Sequence, residues 1–230
     1  MRGNTLTSEN ASASPEPVYL YGAGGHAKVI IELLEANGRP IAGLFDDKPL
    51  TTDLFGYRVS RWDEETRGRL PLIVSIGDNA IRAKVAVLLG GPFARTAHPN
   101  SYISPRAALG EGTVVMSGVS IHSGAVIGAH CIINTHASVD HDCAVADFVH
   151  IAPHAVLCGH VTVGEGALVG AGAVVIPGVR IGRWAVIGAG AVVRKDIPDG
   201  AVVAGNPGRI FVTRTLGNTL KNPSYGTAKH

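Results

Sequence analysis

Residues 163–192 read VGEGAL-VGAGAV-VIPGVR-IGRWAV-IGAGAV when they are written in blocks of six, and each block begins with valine or isoleucine. The same register continues upstream without a slip. Every sixth residue is aliphatic at Ile103, Leu109, Val115, Ile121, Ile127, Ile133, Val139, Val145, Ile151, Leu157, Val163, Val169, Val175, Ile181, Ile187 and Val193. A register kept this long, to about residue 198, indicates a repeat architecture in which each block forms one short strand and one turn.

A second position of each block shows what the aliphatic residue faces. The residue four places later is nearly always small, as at Ala167, Ala173 and Ala185. We therefore predict a narrow interior that both residues share, and Cys131 and Cys143 fall on inward positions as small buried hydrophobes. Glycine often follows the aliphatic residue, and we interpret these glycines as corners that need a freer backbone: Gly110, Gly128, Gly164, Gly170, Gly182 and Gly188.

Residues 18–97 follow another pattern, in which apolar strands alternate with helices. We predict strands at 18–21, 41–45 and 72–76 and helices at 28–36 and up to about 89, which together indicate a small parallel α/β sheet. Gly22, Gly24 and Ala27 fit a G-x-G-x-x-G/A fingerprint, and Asp46 follows about 20 residues later at the end of the next strand. The domain is half the size of a full dinucleotide-binding fold, so we expect one nucleotide rather than NAD and disfavour a dehydrogenase. The alternative is that the glycines only form a tight turn.

Composition excludes several classes of function. The net charge is +2, so no electrostatic footprint for nucleic acid is visible. No apolar run reaches the roughly 18 residues that a membrane span requires. The three cysteines are an odd number without CxxC spacing, which favours a reducing cytoplasm over a disulfide frame or a zinc site. We place boundaries at 1–17 (disordered), 18–98 (α/β domain), 99–211 (β-helix) and 212–230 (tail).

A short glycine-rich α/β domain followed by hexapeptide repeats resembles the NeuD/PglD-type sugar N-acetyltransferases of bacteria. The resemblance covers residues 18 to about 211 and rests on Tyr21-Gly-Ala-Gly-Gly-His26, Phe45-Asp-Asp47, Ser75-Ile-Gly-Asp-Asn79, Asn134-Thr135, Val139-Asp-His-Asp-Cys143 and Ala204-Gly-Asn-Pro207. It implies a half-Rossmann-like α/β domain that binds a nucleotide-linked amino sugar, followed by a left-handed parallel β-helix that binds acetyl-CoA. It also implies a homotrimer with active sites at subunit interfaces.

Within this family, three blocks form one triangular coil. Residues 18 apart should therefore stack on one face, about 4.8 Å apart by ordinary strand spacing. The rule places His136 below His154 and Ala171 below Ala189. Two stacked histidines without a third ligand are a poor metal site, so we expect no metal.

The family's functional residues transfer to individual positions of this chain. The resemblance assigns the nucleotide sugar to Gly24, Gly25, His26, Asp46, Asp47, Gly77 and Asn79. It assigns the acetyl-CoA thioester to His150 and Gly159, the pantetheine arm to Ala171 and Ala189, and catalysis to His141 and Asp142. The family often has glutamate after the histidine, and the shorter Asp142 puts the contact with His141 in question.

The residues around His141 suit acetyl transfer to an amine. A neutral imidazole can accept the proton that the attacking amine loses, and a carboxylate on its other nitrogen would fix the tautomer. The Gly159 N–H is our candidate donor to the oxyanion. In a second interpretation, the amine is already neutral when bound and His141 only positions it. No cysteine is suitably exposed for a covalent intermediate, which favours a ternary complex.

The sequence therefore predicts an acetyl-CoA-dependent acyltransferase that modifies the 4-amino group of a nucleotide-linked 4-amino-4,6-dideoxy sugar for O-antigen or lipopolysaccharide synthesis. The family members that use GDP-perosamine resemble the chain most, and those that use UDP-linked bacillosamine precursors come next. Two alternatives stay open: O-acetylation of sialic acid, for which a nucleotide pocket would be superfluous, and a non-enzymatic sugar-nucleotide-binding protein, against which the His141–Asp142 pair argues.

Overall fold

The structure is a computed structural model, and it describes residues 16–63, 65 and 68–214. Most of the expected disordered segment 1–17 and of the tail 212–230 lies outside the described residues. The described chain has two parts, an α/β domain and a parallel β-helix, which confirms the predicted order.

The α/β domain contains one five-stranded sheet in the order β3-β4-β2-β1-β5. Its elements are β1 (Val18–Tyr21), α1 (Gly25–Ala36), β2 (Ile41–Phe45), β3 (Asp53–Leu54), β4 (Tyr57–Ser60), β5 (Leu72–Val74) and α2 (Asn79–Leu89). The predicted strands and helices are present, but the prediction of a purely parallel sheet is wrong at one edge. There β3 pairs antiparallel with β4 across a two-residue turn, where Phe55 and Gly56 both have positive φ.

Helix α1 attaches the α/β sheet to the β-helix through one apolar core. Ala27, Ile30 and Leu34 are spaced to lie on one face of α1, and all three are fully buried. They belong to a cluster that includes Met116 and Ile132 of the β-helix. The core of the α/β domain therefore extends onto the β-helix, whose interior forms a separate cluster. Neither α1 nor α2, with 12 and 11 residues, could cross a bilayer.

The β-helix consists of two-residue strands joined by four-residue turns. The strands are β6 (Thr96–Ala97), β7 (Tyr102–Ile103), β8 (Ala108–Leu109), β9 (Val114–Val115), β10 (Ser120–Ile121), β11 (Val126–Ile127), β12 (Ile132–Ile133), β13 (Ser138–Val139), β14 (Ala144–Val145), β15 (His150–Ile151), β16 (Val156–Leu157), β17 (Thr162–Val163), β18 (Leu168–Val169), β19 (Val174–Val175), β20 (Arg180–Ile181), β21 (Val186–Ile187) and β22 (Val192–Val193). Ile132 pairs with His150 and His150 with Leu168, in parallel. These pairs confirm the 18-residue rule, which begins already at Ala97 opposite Val115.

The strands form the three faces of a prism. The first sheet contains β7, β10, β13, β16, β19 and β22; the second contains β8, β11, β14, β17 and β20; the third contains β6, β9, β12, β15, β18, β21, β23 (Ala201–Ala204) and β24 (Arg209–Thr213). We name the edges by their contents. The dyad edge joins the first sheet to the second and contains His141. The domain edge joins the second to the third and contacts the α/β domain. The alanine edge joins the third to the first and contains Ala171 and Ala189.

The repeat ends earlier than its sequence register suggests. Ile197 lies four residues after Val193, so the block register predicts it at a small inward position, but it instead pairs with Ile181, only 16 residues away. The next strand, β23 (Ala201–Ala204), keeps this shortened spacing, and β24 (Arg209–Thr213) folds back antiparallel to it. The strict 18-residue rule therefore holds only to Val193.

The interior has the predicted composition. The aliphatic and small positions form one continuous cluster along the prism, and Cys131 and Cys143 are buried in it as expected. Thr113 is the buried polar residue on an inward position. Its hydroxyl donates to the Gly128 carbonyl at 2.7 Å and accepts from the Cys131 N–H at 2.9 Å, so burial leaves it satisfied.

The corner glycines have a different cause from the one that we expected. Gly110, Gly128, Gly164, Gly170, Gly182 and Gly188 do not adopt positive φ. At Gly128, a Cβ would lie 2.7 Å from backbone atoms of the next coil, so what these corners require is close packing. Positive φ occurs two residues later in the turns, at positions that hold either glycine or a larger residue such as Asp142 or His160.

Candidate active site

His141 and Asp142 form a hydrogen-bonded pair on the dyad edge. His141 Nδ1 lies 2.9 Å from Asp142 Oδ2, so the shorter aspartate does reach the ring. The backbone N–H of His141 also donates to Asp140 Oδ1 at 2.7 Å, which fixes the start of the turn. Both side chains of the pair are about half exposed, so a substrate could approach His141 Nε2 from solvent.

Two glycines on neighbouring coils leave room for this pair. A Cβ on Gly159, one coil above, would lie 2.5 Å from His141 Nε2. A Cβ on Gly124, one coil below, would lie within contact of Asp142 Oδ1, and Gly124 has positive φ. The Gly159 N–H has no acceptor among the described residues, so it remains available to a ligand beside the His141 ring.

The electrostatic surroundings of His141 favour its protonated form. The hydrogen bond to Asp142 raises its pKa above the usual value of 6.5, desolvation opposes this, and the charges of Asp140 and Asp142 raise the pKa further. A carboxylate on Nδ1 leaves Nε2 as the proton acceptor of the neutral ring. The pair has the arrangement that a general base requires.

The glycine-rich loop lies at the carboxyl ends of β1 and β5. Gly22 has a φ of +105°, and a Cβ there would lie 2.8 Å from the Ile76 side chain, so no other residue fits. Ser75 ties the two loops together, because its hydroxyl bonds the Gly22 carbonyl at 2.6 Å. Gly24 and Gly25 face open space at the start of α1. The N–H groups of Gly25 and His26 have no acceptor in the described chain, as an anion-binding helix start requires.

Asp46 and Asp47 brace this loop from the end of β2. Asp46 accepts from the N–H groups of Ala23 and Lys48, each at 2.9 Å. Asp47 accepts from the Tyr21 hydroxyl at 2.6 Å; burial and this carboxylate raise the pKa of that phenol. A carboxylate has about four acceptor sites, so both groups keep capacity for a hydroxyl of a ligand.

A pocket of about 350 Å³ separates the α/β domain from the third sheet. Gly77, Asp78 and Asn79 line one side and His150 and Leu168 the other. The pocket walls therefore combine residues that we predicted for the sugar nucleotide with one that we predicted for the thioester.

Two histidines around this pocket are neutral at neutral pH. Burial, and then the charge of Arg82, lowers the pKa of His26 to about 4. Burial, and then the charges of Arg82 and His26, lowers the pKa of His150 to about 3. His150 Nε2 contacts the Asn134 amide at 3.0 Å, whereas His26 Nε2 has no hydrogen-bond partner among the described residues. A buried nitrogen of this kind is suited to a polar atom of a ligand.

The sequence did not identify Arg82, which holds the two parts of the chain together. Its buried guanidinium donates to the carbonyls of His130 at 2.8 Å and Phe148 at 2.9 Å, and to Asn79 Oδ1 at 2.7 Å. The Asn79 amide in turn donates to the Gly166 and Ala167 carbonyls, each at 3.1 Å. Asn79, which we predicted to bind substrate, thus shapes the pocket wall through bonds at the domain edge. A buried arginine on an amphipathic helix carries no sequence signal that distinguishes it from an exposed one.

The structure does not bring the predicted site residues together within one chain. His141 and Gly159 lie on the dyad edge, whereas the glycine-rich loop, predicted to bind the nucleotide, belongs to the α/β domain, which contacts the domain edge. Ala171 and Ala189 are exposed on the alanine edge, and their N–H groups have no acceptor within the described chain. His150, predicted to share the thioester with Gly159, lies in β15 of the third sheet.

The stacked pair predicted from the 18-residue rule is present. The rings of His136 and His154 are parallel within 13° and 5.1 Å apart. A second pair, His141 and His160, meets edge to face at 5.1 Å on the dyad edge, and the sequence did not single it out.

Comparison with known proteins extends these observations to a family. Residues 17–89 match the PglD N-terminal domain, and residues 160–195 match the bacterial transferase hexapeptide repeat. The chain is 38% identical over 144 residues to GDP-perosamine N-acetyltransferase of Escherichia coli O157:H7, which covers 59% of this chain and 65% of that protein. It is 42% identical over 110 residues to UDP-N-acetylbacillosamine N-acetyltransferase of Bacillus subtilis, and this alignment covers 44% of this chain and 51% of that protein. The alignments thus span about half to two thirds of these two relatives.

A solved structure covers more of the chain. It is a histidine-to-asparagine mutant of perosamine N-acetyltransferase from Caulobacter crescentus, in complex with CoA and GDP-perosamine. The two chains are 41% identical with a TM-score of 0.80, and the match covers 85% of this chain and 97% of that chain.

Proposed function

Because this chain belongs to the NeuD/PglD-type family of hexapeptide-repeat sugar N-acetyltransferases, we propose that it acetylates the 4-amino group of a nucleotide-linked 4-amino-4,6-dideoxy sugar with acetyl-CoA. The observation that carries this proposal is the His141–Asp142 pair beside the free N–H of Gly159. A sugar-nucleotide-binding protein without activity would not require such a pair.

The geometry supports direct transfer within a ternary complex. The neutral amine attacks the thioester carbonyl, and His141 Nε2 either accepts the proton that the nitrogen loses or holds the amine in line. Asp142 keeps Nδ1 protonated and stabilises the imidazolium when it forms. The Gly159 N–H donates to the oxygen of the tetrahedral intermediate, and collapse of that intermediate releases the CoA thiolate.

The α/β domain supplies the nucleotide site in this proposal. The start of α1 offers the N–H groups of Gly25 and His26 to the diphosphate, and Asp46 and Asp47 offer acceptors to the ribose. His26 supplies a neutral buried nitrogen toward the pocket. We rank GDP-perosamine first, because the solved structure whose match covers 85% of this chain is a complex with it. A UDP-linked bacillosamine precursor ranks second, because the alignment with the relative of that name covers 44% of this chain.

The cofactor site and the assembly follow from the exposed alanine edge. Ala171 and Ala189 offer two stacked N–H groups to the pantetheine carbonyls, and the relative from Caulobacter crescentus was crystallised with CoA. A homotrimer would bring the alanine edge or the nucleotide loop of one chain against the dyad edge of the next. This assembly supplies the site that one chain leaves divided.

The test measures acetyl-CoA consumption with UDP-, GDP- and dTDP-linked 4-amino sugars and with sialic acid. We expect turnover with a 4-amino sugar nucleotide, GDP-perosamine being the best substrate. His141→Asn should lower kcat by about 10²–10⁴-fold if the ring is a general base, and by less if it positions the amine. Lys84→Met, at an exposed position of α2, serves as the control. Absence of turnover with every amino sugar would exclude the proposed reaction.

A further inference from the structure

The dyad edge brings together three groups that could bind one metal ion. One ligand atom each from His141, Asp142 and His160 lies within 4.8 Å of the other two. His141 Nδ1 is 2.9 Å and His160 Nε2 is 3.8 Å from the same oxygen, Asp142 Oδ2. Acetyl transfer as proposed above requires no role for His160, so this third group is unexplained.

These separations are close to those of a tetrahedral zinc site. Zinc lies about 2.0–2.2 Å from nitrogen and oxygen ligands, which places two such ligands about 3.3 Å apart. The observed distances of 2.9 Å and 3.8 Å lie on either side of this value. All three side chains are half exposed or more, so small rotations can equalise the distances and solvent can fill the fourth position.

The backbone holds the three ligands in place. Asp142 and His160 occupy equivalent turn positions on successive coils, both with positive φ. The His160 N–H donates to the His141 carbonyl at 3.0 Å, which ties the two coils directly beneath the ligand atoms. Asp140 adds a second negative charge next to His141, and the local field thus favours a cation.

We propose that His141, Asp142 and His160 bind a divalent transition-metal ion such as Zn²⁺ and that the bound ion inhibits acetyl transfer. The ligand set of two imidazoles and one carboxylate is typical of zinc sites with an open position. The stacked His136 and His154 have no carboxylate partner and provide the natural comparison.

Inhibition follows from the proton count of the imidazole ring. A neutral ring carries one proton, and a metal ion on Nδ1 leaves that proton on Nε2. His141 would then be unable to accept a proton from the amine, and Asp142 would no longer orient the ring. This consequence rests on the proposed function, whereas metal binding itself does not.

Binding is tested by titrating the metal-free full chain with Zn²⁺ in competition with a chromophoric chelator. We expect one ion per chain, and at least a 10-fold loss of affinity in His160→Asn, since removal of outer-shell partners alone costs about 10–100-fold. Asparagine tolerates positive φ, which keeps the turn intact. The control His154→Asn should bind as the wild-type chain does. Absence of stoichiometric binding, or unchanged affinity in His160→Asn, would overturn the proposal.

Activity provides the second readout. Zn²⁺ should inhibit the wild-type chain and His154→Asn, and EDTA should restore both. His160→Asn should keep its zinc-free activity and resist Zn²⁺ by at least 10-fold in concentration. Equal inhibition of His160→Asn and wild type would overturn the inhibitory role. If no acetyl transfer occurs at all, the proposed function fails, and the binding titration still decides the metal site.

Discussion

At the scale of single residues, the His141–Asp142 pair depends on two glycines that belong to other coils. The His141 ring lies over Gly159 and the Asp142 carboxylate over Gly124, each 18 residues away. The two side chains are neighbours in sequence, yet their orientation is set by the space that these glycines leave. Gly159 therefore has two uses, a free N–H and an absent side chain.

We expect Gly159→Ala to displace the His141 ring. The added methyl group would lie 2.5 Å from Nε2, so the exposed ring must rotate, and a misplaced base can cost about 10²-fold in rate. The fold should persist because the ring is free to move into solvent. The assay compares kcat and circular dichroism with those of Gly43→Ala, where the new methyl meets the Tyr19 ring at an ordinary 3.7 Å. Normal kcat in Gly159→Ala would contradict this account.

The pH dependence tests the partner of His141. If His141 acts as the proposed base, transfer needs the neutral ring, so activity should fall as the pH drops through the His141 pKa, which Asp142 holds above its usual value. Asp142→Asn removes the largest cause of that rise, and the acid limb of kcat/KM should move to lower pH while the maximum falls. Asp140→Asn, which removes a weaker cause, should shift the limb less. A limb that stays fixed in Asp142→Asn would show that another group controls it.

At the scale of elements, helix α2 fixes the pocket by its bonds to the domain edge. Arg82 and Asn79 lie one turn apart on α2, and together they reach carbonyls on three successive coils, at His130, Phe148 and Gly166. Because Asp78 caps the same helix, the loop that carries Gly77 is held at both ends. The distance between the pocket walls therefore depends on this helix.

We expect Arg82→Met to destabilise the protein by about 3 kcal/mol or more, because each orphaned buried acceptor costs about 1–3 kcal/mol. Methionine keeps much of the volume, so the loss reports on hydrogen bonds. Guanidinium denaturation would measure it, with the exposed Lys84→Met on the same helix expected to stay within about 0.5 kcal/mol of wild type. Equal stability of both variants would show that α2 is held by apolar contacts alone.

At the scale of the whole molecule, the prism distributes the proposed site over three edges. The His141–Asp142 pair lies on the dyad edge, the alanine N–H groups lie on the alanine edge, and the glycine-rich loop belongs to the α/β domain beside the domain edge. In the proposal, a neighbouring copy brings two of these regions together. The proposed trimer is thus tied to the chemistry as well as to the fold.

Mixing two inactive variants tests this division directly. His141→Asn lacks the base, and Gly24→Trp places a large side chain in open space at the nucleotide loop. After joint unfolding and refolding at equal amounts, about one quarter of the interfaces in a trimer would combine an intact base with an intact loop. Activity should return in the mixture and in neither variant alone. A mixture as inactive as its components, or a monomeric mass in solution, would argue for a site within one chain.

Most of the β-helix could be predicted from its repeat. The block register predicted the repeating strands and the buried cysteines, because each block repeats the same short-range geometry. The His136–His154 stack also required the family resemblance, which supplied the number of blocks in one coil. The register predicted the wrong partner for Ile197, because the final coil is two residues shorter than the others and Ile197 pairs with Ile181. It also gave the wrong reason for the corner glycines. A need for positive φ and a need for close packing both select glycine, and the sequence cannot distinguish them.

Periodicity and turn chemistry are local properties, so the order of residues was enough to predict the β-helix, the position of His141 outside it and the α/β domain before it. Only the tertiary structure shows that Arg82 and Asn79 bond the domain edge, that His26 and His150 are neutral, that Gly159 leaves room for the His141 ring and that His160 lies beside Asp142. These features depend on burial and on contacts between residues that are distant in the sequence, which a local sequence pattern does not reveal.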